Sequence, residues 1–252
     1  MPCVLLREIN RKDVLCMNLQ RLDKIISSQF NIPRKVTKAI IHRGKVKIDG
    51  NIIRDPSLQV DVDKVTIEYK GQTLNYKEHV YIMLNKPKGV LSASEDKNRE
   101  TVVDLVPSEL FRQGLFPVGR LDKDTTGLIL ITDDGDFAHQ VISPKKNIFK
   151  TYKVTLDGDL TEEGIALLEK GVTLADGTVC KPALVKSADG NVCVIKISEG
   201  KYHQIKRMFG VLELGVNELE RVAIGGLSLP QNLEEGNAIE LSEAQKSLIF
   251  VK

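Results

Sequence analysis

The stretch GRLDKDTTGLILITDDG, residues 119–135, sets Arg120, Asp122 and Asp124 immediately ahead of an apolar run. Such a loop can bind calcium, present a carboxylate as nucleophile or base, or simply cap a turn. The calcium pattern fails. Thr126 stands at its fifth position and Asp133 at its twelfth, where a bidentate Glu is expected, and LILIT reads as a strand rather than a flanking helix. No G-x-x-x-x-G-K-S/T or G-x-G-x-x-G phosphate loop and no G-x-S-x-G elbow occurs. Asp124, beside Thr125 and Thr126, suits turn capping. Asp122 follows Gly-Arg-Leu, in which the glycine permits close approach, the arginine supplies charge and the leucine anchors one face. On residues alone it is a candidate nucleophile or base.

The other chemistry-bearing side chains propose no metal site. Cys3, Cys16, Cys180 and Cys193 form no C-x-x-C pair, and His42, His79, His139 and His203 are equally dispersed. The 252 residues, 42% hydrophobic and 28% charged, describe an ordinary globular chain long enough for more than one domain. No apolar run approaches the roughly 20 residues of a membrane helix. The N-terminal MPCVLLREIN lacks the features of a signal peptide, so a cytoplasmic location without membrane contact is expected.

Charge is unevenly distributed. Against a net charge of +2, residues 17–50 hold eight Lys or Arg (Arg21, Lys24, Arg34, Lys35, Lys38, Arg43, Lys45, Lys47) and only Asp23 and Asp49. The remainder of the chain is therefore net acidic, and the asymmetry points to a dedicated basic module. Leu19, Leu22, Ile25 and Ile26 keep a helical period, and Pro33 opens a second helix through Val36, Ala39 and Ile40. GKVKIDGNII reads as a hairpin around Asp49-Gly50, and VDVDKVTIEY as another strand. Two basic helices with a small sheet can track a nucleic-acid backbone.

After a polar connection, GQTLNYKEH, short strands dominate: VYIML, GLILIT, YKVTL, NVCVIKI and GNAIEL. Helices are expected at 136–142, 161–170, 203–211 and 242–249. Gly-containing turns favour hairpins over long crossovers, so the second part reads as a mixed α+β domain with a largely antiparallel sheet. The expected organisation is an extension over 1–16, an RNA-binding domain over 17–73, a linker over 74–79 and a catalytic domain over 80–252, with Met17 an alternative start.

Two resemblances sharpen this reading. RLDKIIS, PRKVTKAIIHRGKVKIDGNII and DPSLQV resemble the small RNA-binding domain of ribosomal protein S-four. That resemblance implies RNA contacts from Arg34, Lys35, Lys38 and Arg43. YIMLNKPKGVLSA, GRLDKDTTGLILITDDG, FKTYKVTL, EGKYHQIKRMF and LERVAIGGLSL, in this order, resemble the pseudouridine synthases, in particular the branch acting on small-subunit (16S) ribosomal RNA. A 23S rRNA target and a non-catalytic, RNA-binding assembly factor are the alternatives. An RNA glycosidic hydrolase is a third.

The resemblance implies that Asp122 carries out the isomerisation of uridine with no cofactor or metal. It implies that Tyr152 stacks on the flipped base and can transfer a proton, and that Lys206 pairs with the aspartate. A lysine lacks the bidentate fork of arginine, so a one-point ion pair is expected. Arg207 is the alternative partner if the register slips by one. Arg120 is expected to reach an RNA phosphate or hold the loop, Gln204 and Arg207 to contact RNA, and Gln204 and His203 to shape the site. Arg221, Lys86 and Lys88 are expected along the RNA groove. Ribosomal RNA is the expected partner and the chain is expected to act as a monomer.

Overall fold

The computed structural model describes residues 18–251, in two compact units divided between Glu78 and His79. The expected extension over 1–16, the start at Met17, and Cys3 and Cys16 lie outside the described residues.

The first unit runs β1 (Leu19–Arg21), α1 (Leu22–Gln29), α2 (Arg34–His42), β2 (Val46–Ile48), β3 (Asn51–Ile53), β4 (Gln59–Asp61), β5 (Ile67–Tyr69) and β6 (Gln72–Thr73). The hairpin of β2 and β3 turns through Asp49 and Gly50, both at positive φ, as the Asp-Gly pair predicts. VDVDKVTIEY is not one strand. Asp61 stops it by accepting from the backbone N–H of Asp63 and pairing with Lys64, and the Lys64 N–H closes the turn on the Asp61 carbonyl. An Asx-type turn outcompetes the ladder there. The buried face of α2 is also displaced from the expected one. Thr37 and Ile41 are buried, whereas Val36 is 50% exposed. The Thr37 hydroxyl can afford this burial because it bonds the Pro33 carbonyl at 3.3 Å. Leu22, Ile25, Ile26, Val46, Ile67 and Tyr69 complete the small core.

The second unit is a mixed sheet flanked by helices. Its elements are β7 (Tyr81–Lys86), β8 (Phe116–Pro117), β9 (Thr126–Thr132), α3 (Gly135–Ile142), β10 (Lys150–Leu156), α4 (Glu162–Lys170), β11 (Leu184–Asp189), β12 (Val192–Ile197), α5 (Gln204–Gly210), β13 (Val216–Ile224), β14 (Leu227–Ser228), β15 (Ala238–Glu240) and α6 (Glu243–Leu248). Among the described residues the strand order is β11-β12-β10-β13-β9-β7-β15, with β14 on β13 and β8 on β9. All pairings are antiparallel except that of β13 with β9. The expected α+β class with a largely antiparallel sheet is what forms.

The apolar run after the Asp122 loop becomes β9, near the middle of that sheet. Its alternate residues enter two cores, Ile129 and Ile131 on one face and Leu128 and Leu130 on the other. A strand covered on both faces reads as continuous apolar sequence. Helix starts are set by side chains. Asp134 accepts from the Phe137 N–H, Thr161 from the Gly164 N–H, and Ser242 and Gln245 form a capping box.

The parallel contact between β9 and β13 demands a glycine. Gly127 lies opposite Arg221 at φ +95°, and a Cβ there would come within 2.4 Å of the Arg221 carbonyl oxygen. Only a residue without a side chain lets β9 approach β13 this closely.

Candidate active site

The loop Gly119–Thr125 is fastened from several sides. The Ser92 hydroxyl donates to the Leu121 carbonyl and accepts from the Leu121 N–H, at 2.8 and 3.0 Å. Lys86 is fully buried. Its ammonium donates to the carbonyls of Pro87, Lys123 and Thr125 at 3.1, 3.2 and 2.9 Å. The Thr125 N–H closes on the Asp122 carbonyl at 3.1 Å. Burial pushes Lys86 down to about 8 despite the opposing influence of Asp124 and Asp122. The expectation that Lys86 lines an exposed groove is therefore corrected. It is an internal clamp on the backbone that carries the two aspartates.

Asp122 stands half-buried at the rim of a cleft of about 80 Å³. Tyr152, from β10, forms another wall and is 8% exposed. Arg120, Gly200, His203, Ile205 and Leu219 close the rest. A carboxylate and a phenol ring thus share one small cavity whose apolar floor comes from α5 and β13. Tyr152 is both a core residue and a pocket wall.

The cation partners differ from those expected. Lys206 hydrogen-bonds Asp124, while His203 Nε2 lies 3.5 Å from Asp122 Oδ1. His203 and Lys206 are three residues apart at the start of α5, and so share a face of that helix. The helix therefore offers two side chains to two carboxylates on one loop. The Lys206 hydrogen bond holds the Asp124 carboxyl below the usual carboxylate range, outweighing its partial burial. Asp124 is thus an ion-pair partner rather than the turn cap expected, since the turn closes through backbone atoms instead. Arg207 does not replace Lys206: its guanidinium pairs with Asp176 at 2.5 Å.

His203 holds a left-handed backbone conformation at φ 47°, and Tyr202 stacks on its ring at 4.0 Å between centroids. Such a conformation costs a non-glycine residue about 1 kcal/mol, and it is maintained here beside the site. Gln204, expected to contact RNA, is 4% exposed. It accepts from the Lys201 N–H and donates to Glu199, so it braces the 199–204 turn from inside. Arg221, expected in an RNA groove, is 4% exposed and donates through Nε to the Leu128 carbonyl at 2.7 Å. No group of three or more potential metal ligands occurs among the described residues.

In the first unit, Arg34 joins Arg21 on the buried carboxylate of Asp23, at 3.0–3.2 Å. Burial alone would raise Asp23, but the two guanidiniums overcome it and hold it low. Arg34 thus braces Asp23 while its side chain stays 54% exposed, and Lys35, Lys38 and Arg43 are exposed as well.

Comparison with known proteins bears directly on this arrangement. Residues 80–210 match the family model described as RNA pseudouridylate synthase, and residues 20–65 match that of the S4 domain. The chain is 36% identical over 227 residues to the ribosomal small subunit pseudouridine synthase A of Escherichia coli (strain K12), covering 89% of this chain and 97% of that protein. The chain belongs to the RNA pseudouridine synthase family. It is also 42% identical to an uncharacterised RNA pseudouridine synthase of Bacillus subtilis (strain 168), covering 91% of this chain and 98% of that one. A crystal structure of a pseudouridylate synthase matches with a TM-score of 0.65 at 36% identity, over 91% of this chain and 99% of that one. The enzyme thus combines a pseudouridine synthase domain with an S4 domain, as the ordered sequence blocks imply. No helix among the described residues is long and apolar enough to cross a membrane.

Proposed function

We propose that the enzyme isomerises a specific uridine of 16S ribosomal RNA to pseudouridine, using Asp122 and no cofactor. The observation that carries this reading is the Asp122 carboxylate facing Tyr152 within one small cleft, on a loop clamped by Lys86 and Ser92. The name of the Escherichia coli relative supports the small-subunit target.

The proposed course follows from the groups present. The uridine leaves its stack, since a base paired within an A-form helix cannot enter a cleft this size. Tyr152 lies against the extruded ring, and its hydroxyl is available for proton transfer. Asp122 supplies the carboxylate that assists scission of the glycosidic bond, whether at sugar or at base. The detached uracil turns while still enclosed and rejoins the same ribose through C5, which loses its proton as the freed N1 gains one. Lys206 acts as a positioning residue through Asp124, and His203 is the imidazole neighbour of Asp122 itself, its Nε2 3.5 Å from Oδ1. Arg120, exposed at the mouth and lining the cleft, is placed to meet a phosphate.

Residues 17–73 are proposed as the RNA-binding domain, 74–79 as a linker and 80–252 as the catalytic domain, with Arg34, Lys35, Lys38 and Arg43 as exposed phosphate contacts. A monomer acting in the cytoplasm, where ribosomes assemble, is proposed as the working form. Incubation with unmodified small-subunit RNA, free or in an assembling particle, followed by chemical mapping of pseudouridine tests the reading. One new pseudouridine in 16S RNA is expected. Modification of 23S RNA instead would move the target, release of free uracil would indicate a hydrolase, and no reaction on any ribosomal RNA would refute the proposal.

A further inference from the structure

A second pocket, of about 180 Å³, shares Arg120, Tyr152 and Gly200 with the Asp122 cleft. Its polar wall is built by the strand ladder. Lys150 and Tyr152 are two residues apart on β10, and Tyr152 lies opposite Arg221 on β13. Alternation brings these side chains to one face of the sheet, with Tyr152 separating the carboxylate cleft from the cationic pocket.

The two cations have donor capacity left over. Arg221 spends Nε on the Leu128 carbonyl, but its Nη2 is buried and has no protein hydrogen-bond partner. The Lys150 ammonium donates to the Ile148 carbonyl at 2.8 Å and to that of Val141 at 3.5 Å, leaving a third proton. Glu199 is the one carboxylate lining the pocket, and it is already engaged by Lys201, Gln204 and the Lys181 N–H. Burial, reinforced by the nearby Arg221, pushes Lys150 down to about 8. Like charges held together below the surface with an unused donor are expensive unless they serve to bind an anion.

We propose that this pocket receives the RNA phosphodiester adjoining the target uridine, its anionic oxygens accepting from Arg221 Nη2 and Lys150 Nζ. The proposal rests on the reading of the Asp122 cleft as the uridine site, and adds how the sugar is held. Between bond scission and rejoining, the base must turn while its ribose stays in place. A phosphate anchored across Tyr152 from the carboxylate restrains the ribose without touching the moving ring. Charge-assisted bonds to a phosphate suit this role, because they are strong and indifferent to sequence.

The test uses the full chain and target RNA oligonucleotides in which single linkages near the uridine are replaced by neutral methylphosphonates. One linkage is expected to lower kcat/KM by about tenfold in the wild type. The same replacement should have little further effect in Lys150→Met, and Arg221→Lys, which keeps the charge, should retain part of the sensitivity. A flat scan, or equal sensitivity in wild type and a folded Lys150→Met protein, would overturn the proposal. Isothermal titration with inorganic phosphate reads the pocket independently of turnover. Heat of binding lost in Lys150→Met supports an anion site even if no pseudouridine is formed, which would refute the functional reading alone. Phosphate binding equal in wild type and Lys150→Met overturns it. Phosphate binding with a flat methylphosphonate scan would identify a free-anion site and overturn the assignment to RNA.

Discussion

Lys35 and Lys38 stand in solvent on α2 of the first unit, whereas Lys86, Lys150 and Arg221 are buried or largely so in the second. The residue types are the same and their energetics are opposite. An exposed lysine keeps its water, acts over roughly a Debye length of about 8–10 Å, and is replaceable by any neighbouring cation. A buried lysine has given up its water and must recover that loss through fixed carbonyls or a bound anion. Composition draws attention to the first group, because its charges cluster in sequence. The second group is dispersed over more than a hundred residues, yet it surrounds the loop and cleft where chemistry is proposed. Charge density in a sequence therefore marks a surface for binding, while isolated charges inside strands mark the machinery.

The comparison is broken most decisively at the cleft. Asp122→Asn should lower turnover by about a thousandfold or more while leaving RNA affinity nearly unchanged, as measured by single-turnover kinetics and filter binding. An active Asn variant would remove Asp122 from the chemistry.

Lys86→Met tests the internal clamp. It leaves carbonyls of the loop without their donor, so a loss on the order of 1–3 kcal/mol is expected in denaturant unfolding near pH 7. The pH dependence has a definite sign. Because the folded-state pKa of Lys86 is depressed to about 8 from 10.5, the unfolded chain binds more protons between those values. Stability contributed through this group therefore rises with pH across that window. The wild type should gain on Lys86→Met between pH 8 and 10. A pH-independent difference would show that Lys86 is charged equally in both states.

Lys206→Met should reduce kcat by about tenfold, through loss of the Asp124 pair and looser placement of the loop, with a smaller change in KM. Equal effects in Asp124→Asn and in the double variant would support action through Asp124. Additive effects would instead place Lys206 in direct contact with substrate.

The smallest effects belong to the surface group. Replacing Lys35 and Lys38 by Ala should weaken RNA binding only several-fold, and should flatten the dependence of log affinity on log salt by about one unit per lysine. A large loss of turnover at saturating RNA would erase the distinction between the two groups.

Much of this molecule was legible before folding. The four helices of the second unit lie within a residue or so of their expected ends, because Thr161, Ser242 and the Gly171 stop declare themselves locally. The loop at 119–125 and its mounting strand are equally plain, since an apolar run that long must be covered on both faces. Local turn chemistry was underestimated at Asp61, where one side chain ended a strand that alternation had extended. The buried face of α2 was misjudged because Thr37 satisfies its hydroxyl within the helix, which hydropathy does not register.

Within the site, the sequence by itself determined the candidate side chains: a carboxylate loop, a tyrosine on a strand and a cation near a helix start. Their pairing was a tertiary decision. Whether Lys206 meets Asp122 or Asp124 depends on how α5 is rotated against the loop, a matter of a few ångströms contributed by packing across the sheet. The burial of Arg221 likewise follows from the parallel contact of β9 with β13, made possible by Gly127. Spacing along a chain specifies which side chains share a face. Only the closing of distant strands specifies what that face meets, because ion pairs and desolvation change within the length of a single side chain.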